Sequence, residues 1–588
     1  MSELDLEVPE EHGRMQQDVL DLQGLEVDRS MDQVASSCLS SHGLAGHTSG
    51  LGSPSYGSGS EISSEAAQLA ARMRQMLPVV AGLVSSMRVT HPGVLRGTPA
   101  YRPFQRCGQA FNPGSEEEFS KKSFEVKHIT TFWSHSWRGP RWPKALTLMV
   151  IYNGQIAVCM GTLAAFLMMI LFSFQLLPGF SRLAWADFHL FSCWSTMTGS
   201  IVSFLTFIFW RPQQLVFFDR MCIPENDSRL KAEAIYSLAG ILKSSSKMLV
   251  LWDTTWSERL WCLFELAAFL KSQKALAPQG GGQSLEIRPT FLGPSMLFVF
   301  LTIFAGSIGL VLSPVSSHDN LMIPIGCGLL AGSAVGWMAI SALRSYFRSI
   351  EALEAKLQWA TLEGTRCTCC DEAHLDRRGQ PMLCDREVVK ECLKSWFGSE
   401  EEFEKYVRSE VWHAMSLDLQ ERVFSANMSR AVCAPVLWAF MDLAASYMQF
   451  LADAESGLPW IGWGFLVDGL VIQLILCPFV FHIVVFLARR FRRRGASFCS
   501  EVFRNFFVVL CAVMALGLAA AFYVSGWAIF VRGGIFVLGF PRSSYCAGPL
   551  LTAWLLHQVH QRCTKKVPKS QAGRRHGLPG HSLEEGAD

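Results

Sequence analysis

Cys367, Cys369 and Cys370 stand close together, with His374 and Cys384 behind them. Thiolates and imidazole at such spacing bind zinc. The paired C-x2-C knuckles of common zinc modules are absent, so free cytosolic thiols are the alternative. A second group lies in apolar surroundings: Asp442, Asp468 and His482. Charged groups in lipid are costly and face a bundle interior or a water pathway. The two aspartates fall at similar depth in neighbouring apolar segments, and His482 shares a helix face with Asp468. They read either as a cation or proton site or as a hydrogen-bonded structural set; the second reading is favoured.

The elements that must position these groups follow from composition. Half of the 588 residues are apolar and only 17% are charged. That balance points to lipid. The net charge of +2 gives no reason to expect a nucleic-acid partner. Eighteen scattered cysteines, several inside apolar runs, fit reduced thiols rather than a disulfide framework. No apolar N-terminal stretch with a cleavage site is visible.

A helical span needs roughly 20 apolar residues. Eight segments qualify: Ile156–Leu177, His189–Trp210, Ser295–Leu312, Leu321–Leu343, Ala431–Leu451, Trp460–Leu487, Asn505–Val524 and Gly534–Leu556. Pro541 and Arg542 make the last the weakest. Flanking Lys and Arg mark the cytosolic side. The connections Ser313–Asn320 and Ala452–Pro459 contain neither, whereas Arg489–Arg494 and the tail after residue 558 are rich in them. Eight spans with both termini cytosolic satisfy every connection. Gly328, Gly332 and Gly336 form a small-residue stripe on the fourth span, a packing feature.

The expected fold is therefore an α-helical multi-pass membrane protein with a split cytosolic α/β module. Residues 1–125 are Ser-, Gly- and Glu-rich and are expected to be disordered, except for a helix within Glu65–Val89. Residues 126–157 and 211–291 form the split module, with spans at 156–210. Spans at 292–343 lead to a charged helical segment, 344–430, carrying the cysteines. There Ser399 and Glu402 make a capping box. Spans occupy 431–558, and 559–588 is a basic tail.

Within the split module the pattern is β-α-β-α-β-α, which argues for a parallel sheet. Its strands are Lys127–Trp137, Gln214–Asp219 and Lys247–Trp252; Ser228–Leu242 and Ser257–Lys271 are helices, and Ser284–Phe291 could add a strand. The run SSSKMLVLWDTTWSERLWCLFELAAFL resembles the third strand and following helix of Toll/interleukin-1 receptor/resistance (TIR) domains. Trp261, Cys262, Glu265 and Leu266 match that family's W-C-x-x-E-L. FWSHSW at Phe132–Trp137 resembles its first-strand box, and FFDRMCIPEND at Phe217–Asp227 its second strand and loop. The arrangement, with two spans inserted in the domain, is similar to multi-pass membrane proteins of dinoflagellate algae. The family's later strand and helices are not found.

The resemblance implies two activities. Some TIR domains cleave NAD at the nicotinamide–ribose bond, with a glutamate of this helix at the ribose. Glu265 is the carried-over catalytic residue, with Ser134, His135 and Trp261 beside the NAD substrate. Other TIR domains associate, with one another or with other TIR-like domains. The preferred reading is a membrane-anchored TIR-like signalling or interaction protein, contacting membrane lipid and self-associating. NAD cleavage by Glu265 is the alternative, and transport through Asp442 and Asp468 is a third.

Overall fold

Short apolar runs bounded by polar turns become the strands of one sheet. A computed structural model describes residues 75–112, 119–181, 190–224, 228–276, 284–312, 322–358, 361–371, 374, 384–417, 419, 423–448, 458–495, 497–511 and 514. The main sheet has six strands, β1 (Arg96–Pro99), β2 (Phe124–Glu125), β3 (Ile129–His135), β4 (Leu215–Phe217), β5 (Ser245–Trp252) and β6 (Ser284–Pro289), and Phe180–Ser181 pairs with Leu190–Phe191 apart from it. The spatial order of the six is β2-β1-β4-β3-β5-β6. The four strands from β4 to β6 are mutually parallel, with Thr131 opposite Val216, Ser134 opposite Val250, and Val250 opposite Ile287. In chain order this parallel core reads 2-1-3-4, the start of the flavodoxin-like doubly wound order. β1 and β2 add an antiparallel edge.

That edge corrects the sequence expectation of disorder over residues 1–125. Residues 75–112 and 119–125 are folded, and those before 75 lie outside the described residues. Helix α1 (Gln75–Ser85) buries Val80, Ala81 and Val84. Trp396 Nε1 donates to Ser85 O at 2.8 Å, so the helix rests on the cysteine-bearing segment.

The first predicted span is one 33-residue helix, α2 (Arg141–Ser173), that starts at the sheet and runs on without a break. α3 (Trp194–Phe209) packs along it. A Cβ on Gly161 would sit 2.5 Å from Gly199 O, so the two backbones touch where small residues face each other. Leu163, Leu167, Ile201 and Phe209 face outward and exposed. Helix α4 (Leu260–Leu276) covers the sheet. α5 (Leu292–Leu312) follows β6 directly, and α6 (Met322–Gln358) is 37 residues long. After α7 (Asp385–Phe397), Ser399 Oγ accepts the amide of Glu402 at 3.2 Å, as the capping pattern predicts. α8 (Ala434–Met448) and α9 (Leu458–Val471) then pack against each other.

Among the described residues, three helices are long and apolar enough to cross a membrane: Arg141–Ser173, Leu292–Gly309 and Gly462–Arg490. Ala426–Val432 and Ala434–Met448, bent by 49°, make a fourth if counted as one. This is fewer than the eight expected. The second predicted span is a helix of only 16 residues, about 24 Å at 1.5 Å per residue, against a core of about 30 Å. The fourth lies in α6, of whose first residues only the backbone is described. Most of the seventh, all of the eighth and the 559–588 tail lie outside the described residues. The protein is thus mainly helical and membrane-associated, with a small mixed sheet.

Candidate functional site

Ligands of doubly wound sheets bind beyond the C-terminal strand ends, where the strand order reverses. Here that point lies between β3 and β5. β3 ends in Ser134 and His135, and both side chains are buried. Ser134 Oγ lies 2.5 Å from Glu265 Oε2, and Trp256 Nε1 donates to Ser134 Oγ at 3.1 Å. Glu265 sits on α4 one turn after Trp261, and His135, Trp261 and Glu265 line one cavity. The four residues carried over from the resemblance therefore meet at one place.

Sequence reasoning missed three more residues on that cavity: Asp219, Arg259 and Asp385. Asp219 closes the second predicted strand, Arg259 ends the polar turn before α4, and Asp385 follows Cys384. Each had a local signal but no partner visible in the sequence. Asp219 accepts Trp137 Nε1 at 2.9 Å and the Arg220 amide at 2.7 Å. Asp385 accepts Trp261 Nε1 at 3.1 Å.

Burial dominates the electrostatics. It pushes the Glu265 carboxyl up to about 8, with the Ser134 hydrogen bond pulling partly back. It raises Asp385 to about 7 and Asp219 to about 6. Lys144, at the start of α2, is buried. Its ammonium donates to Ser136 O and Gly139 O, which ties the end of β3 to the membrane helix.

The cavity measures about 40 Å³. That admits roughly three waters at about 10–15 Å³ each. Small-molecule sites run to several hundred Å³. A larger cavity of about 330 Å³ lies where the sheet meets the membrane helices, among Val150, Phe204, Phe300, Lys247 and Arg288. Its size does not make it the reactive centre, because none of the residues carried over from the family is there.

Four of the five predicted metal ligands come together. The donor atoms of Cys369, Cys370, His374 and Cys384 all lie within 4.8 Å of one another. Cys367 stands beside them, its sulfur 3.1 Å from that of Cys369.

The intramembrane set behaves differently. Both Asp442 oxygens are taken by α3 and the residues before it: Ser192 Oγ donates at 2.7 Å, the Ser195 amide at 2.8 Å and the Thr196 amide at 2.8 Å. The carboxylate thus caps a helix N-terminus, where orphan amides need an acceptor. His482 Nδ1 is 2.6 Å from Pro478 O, one turn back on its own helix. Asp468 is half-buried on α9. These bonds of Asp442 and His482 are structural, which supports the structural reading of the group.

No family model, curated protein or solved structure matches this chain. The TIR resemblance therefore rests on the quoted residues and on the strand order.

Proposed function

We propose that this chain is a membrane-anchored TIR-like signalling or interaction protein that acts by self-association of its split module. The observation that carries this reading is the narrowness of the cavity at the strand ends. With about 40 Å³ beside Glu265, it has no room for a dinucleotide. The module is also joined rigidly to the membrane helices. α2 continues from the sheet into the apolar bundle, and Thr147 Oγ1 on α2 donates to Thr290 O at 2.6 Å, just before α5. A change of association state in the sheet would pass directly into those helices. The eight-span arrangement with cytosolic termini belongs to the same proposal and rests on the loop charges.

NAD cleavage is the second reading, favoured by the Ser134–Glu265 contact at the position where the fold collects ligands. A carboxylate that stabilises an oxocarbenium-like centre must be ionised. With its acidity shifted to about 8, Glu265 is mostly neutral near pH 7.

One experiment separates the two. Full-length chains carrying two different tags are co-expressed, purified in detergent and incubated with NAD, beside Glu265→Ala. The proposal expects the two tags to co-purify and NAD to remain intact. Single-tag recovery together with NAD loss that disappears in Glu265→Ala would replace it with the enzyme reading.

A further inference from the structure

We propose that Cys369, Cys370, His374 and Cys384 form a zinc site, and that the bound ion clamps the Asp385 segment over the Glu265 cavity. This goes beyond the association reading and does not depend on it.

The donor set is the first argument. Three thiolates and one imidazole make a Cys3His site, a common structural zinc set. Tetrahedral bonds of about 2.3 Å to sulfur place sulfurs about 3.8 Å apart. The Cys370–Cys384 separation is 3.7 Å and Cys369–Cys370 is 4.0 Å. None of these approaches the roughly 2.05 Å of a disulfide.

The second argument is independent of the thiols. His374 Nε2 is buried and has no hydrogen-bond partner among the described residues. A buried polar nitrogen without a partner carries a desolvation cost that a metal bond removes. His374 also adopts φ +58°, a left-handed conformation costly for a non-glycine residue. Its amide donates to Cys369 O at 2.8 Å, which holds the imidazole near the sulfurs. The Asp385 amide donates to the Cys369 sulfur at 3.4 Å, a contact that supports a thiolate. Cys367 lies too close to Cys369 to share the ion; it hydrogen-bonds to that sulfur instead.

The clamp follows from chain positions. Arg366, next to Cys367, donates its amide to Glu258 O at 2.7 Å and accepts the Leu260 amide at 3.2 Å. Asp385, next to Cys384, holds Trp261. The two segments that bring the ligands are thus the same two that lean on the start of α4. Joining them through one ion fixes this wall of the cavity.

The test uses the full chain in detergent, expressed with zinc supplied. Metal analysis should find about one zinc per chain. His374→Ala should lose it to a competing chelator about tenfold more readily or worse, whereas Cys367→Ser should retain it. Removing zinc should speed alkylation of Cys262, which lines the cavity, by about tenfold or more, the scale of an order-of-magnitude loss in protection. Cys222, buried elsewhere in the core, should stay protected. Absence of zinc, or its equal loss from Cys367→Ser and His374→Ala, overturns the ligand set. Zinc removal that leaves Cys262 protected, or that exposes Cys222 equally, overturns the clamp.

Discussion

Glu265 shows why residue type alone does not fix a role. The same carboxylate would be catalytic if ionised and open to substrate, and is structural if neutral and enclosed. In the structure the carboxyl is buried against Ser134, and the consequence is measurable. A carboxyl raised from its ordinary value of 4.5 to about 8 takes up a proton on folding between those values. Stability from this group is full below about pH 4.5 and is lost as pH rises through about 8. Asp385, at about 7, and Asp219, at about 6, have the same sign. Each pH step inside the Glu265 window costs at most about 1.4 kcal/mol. Glu265→Gln should therefore flatten the fall in thermal midpoint between about pH 5.5 and 8. A variant as pH-sensitive as the wild type would contradict the assignment. Ser134, His135, Trp261 and Glu265 were legible because a short motif carries them. Asp385 was not, because only the folded chain brings residue 385 to residue 261. Asp442 was legible as a buried polar group, but its role as a cap depends on α3, far away in sequence.

At the scale of elements, the strands and α4 were readable from apolar runs between polar turns. β1 was not: RGTP contains Gly and Pro, and it pairs with β2 on one side and with the edge of β4 on the other. The predicted helix Ser228–Leu242 is interrupted at Ser237, whose hydroxyl accepts the Thr90 amide at 3.0 Å while its own amide still donates to Glu233 O at 2.9 Å. The junction of sheet and bundle turns on Gly293. A Cβ there would lie 2.3 Å from Thr147 N and 2.4 Å from the Leu146 carbonyl carbon, both backbone atoms. Gly293→Ala should force α2 and α5 apart and destabilise the junction by about 1–3 kcal/mol. Gly306→Ala, on the same helix, meets nothing within 4 Å and serves as the control. Thermal unfolding in detergent should show a lower midpoint for Gly293→Ala and none for Gly306→Ala. Equal midpoints would mean that the junction is not a tight crossing.

For the whole molecule, the central claim is that a sheet made from chain segments on either side of two membrane helices assembles on one face of the membrane. Membrane character was legible from composition and apolar runs. The number of crossings was less so, because the apolar run His189–Trp210 is longer than the helix it forms, Trp194–Phe209. Buried Arg344 adds a constraint that hydropathy could not supply. It donates to Phe491 O at 2.7 Å and Arg493 O at 3.0 Å and pairs with Glu501 at 3.0 Å. That network holds the Arg344 turn of α6 against the Arg489–Arg494 stretch. The most direct test is a single-cysteine accessibility scan on intact membrane vesicles, with reporters at Gly281, Ser316, Glu372 and Ala496. The account predicts that Gly281, Glu372 and Ala496 share one side and that Ser316 lies on the other. Finding Gly281 on the same side as Ser316 would remove α5 as a crossing and contradict the one-sided assembly of the split module.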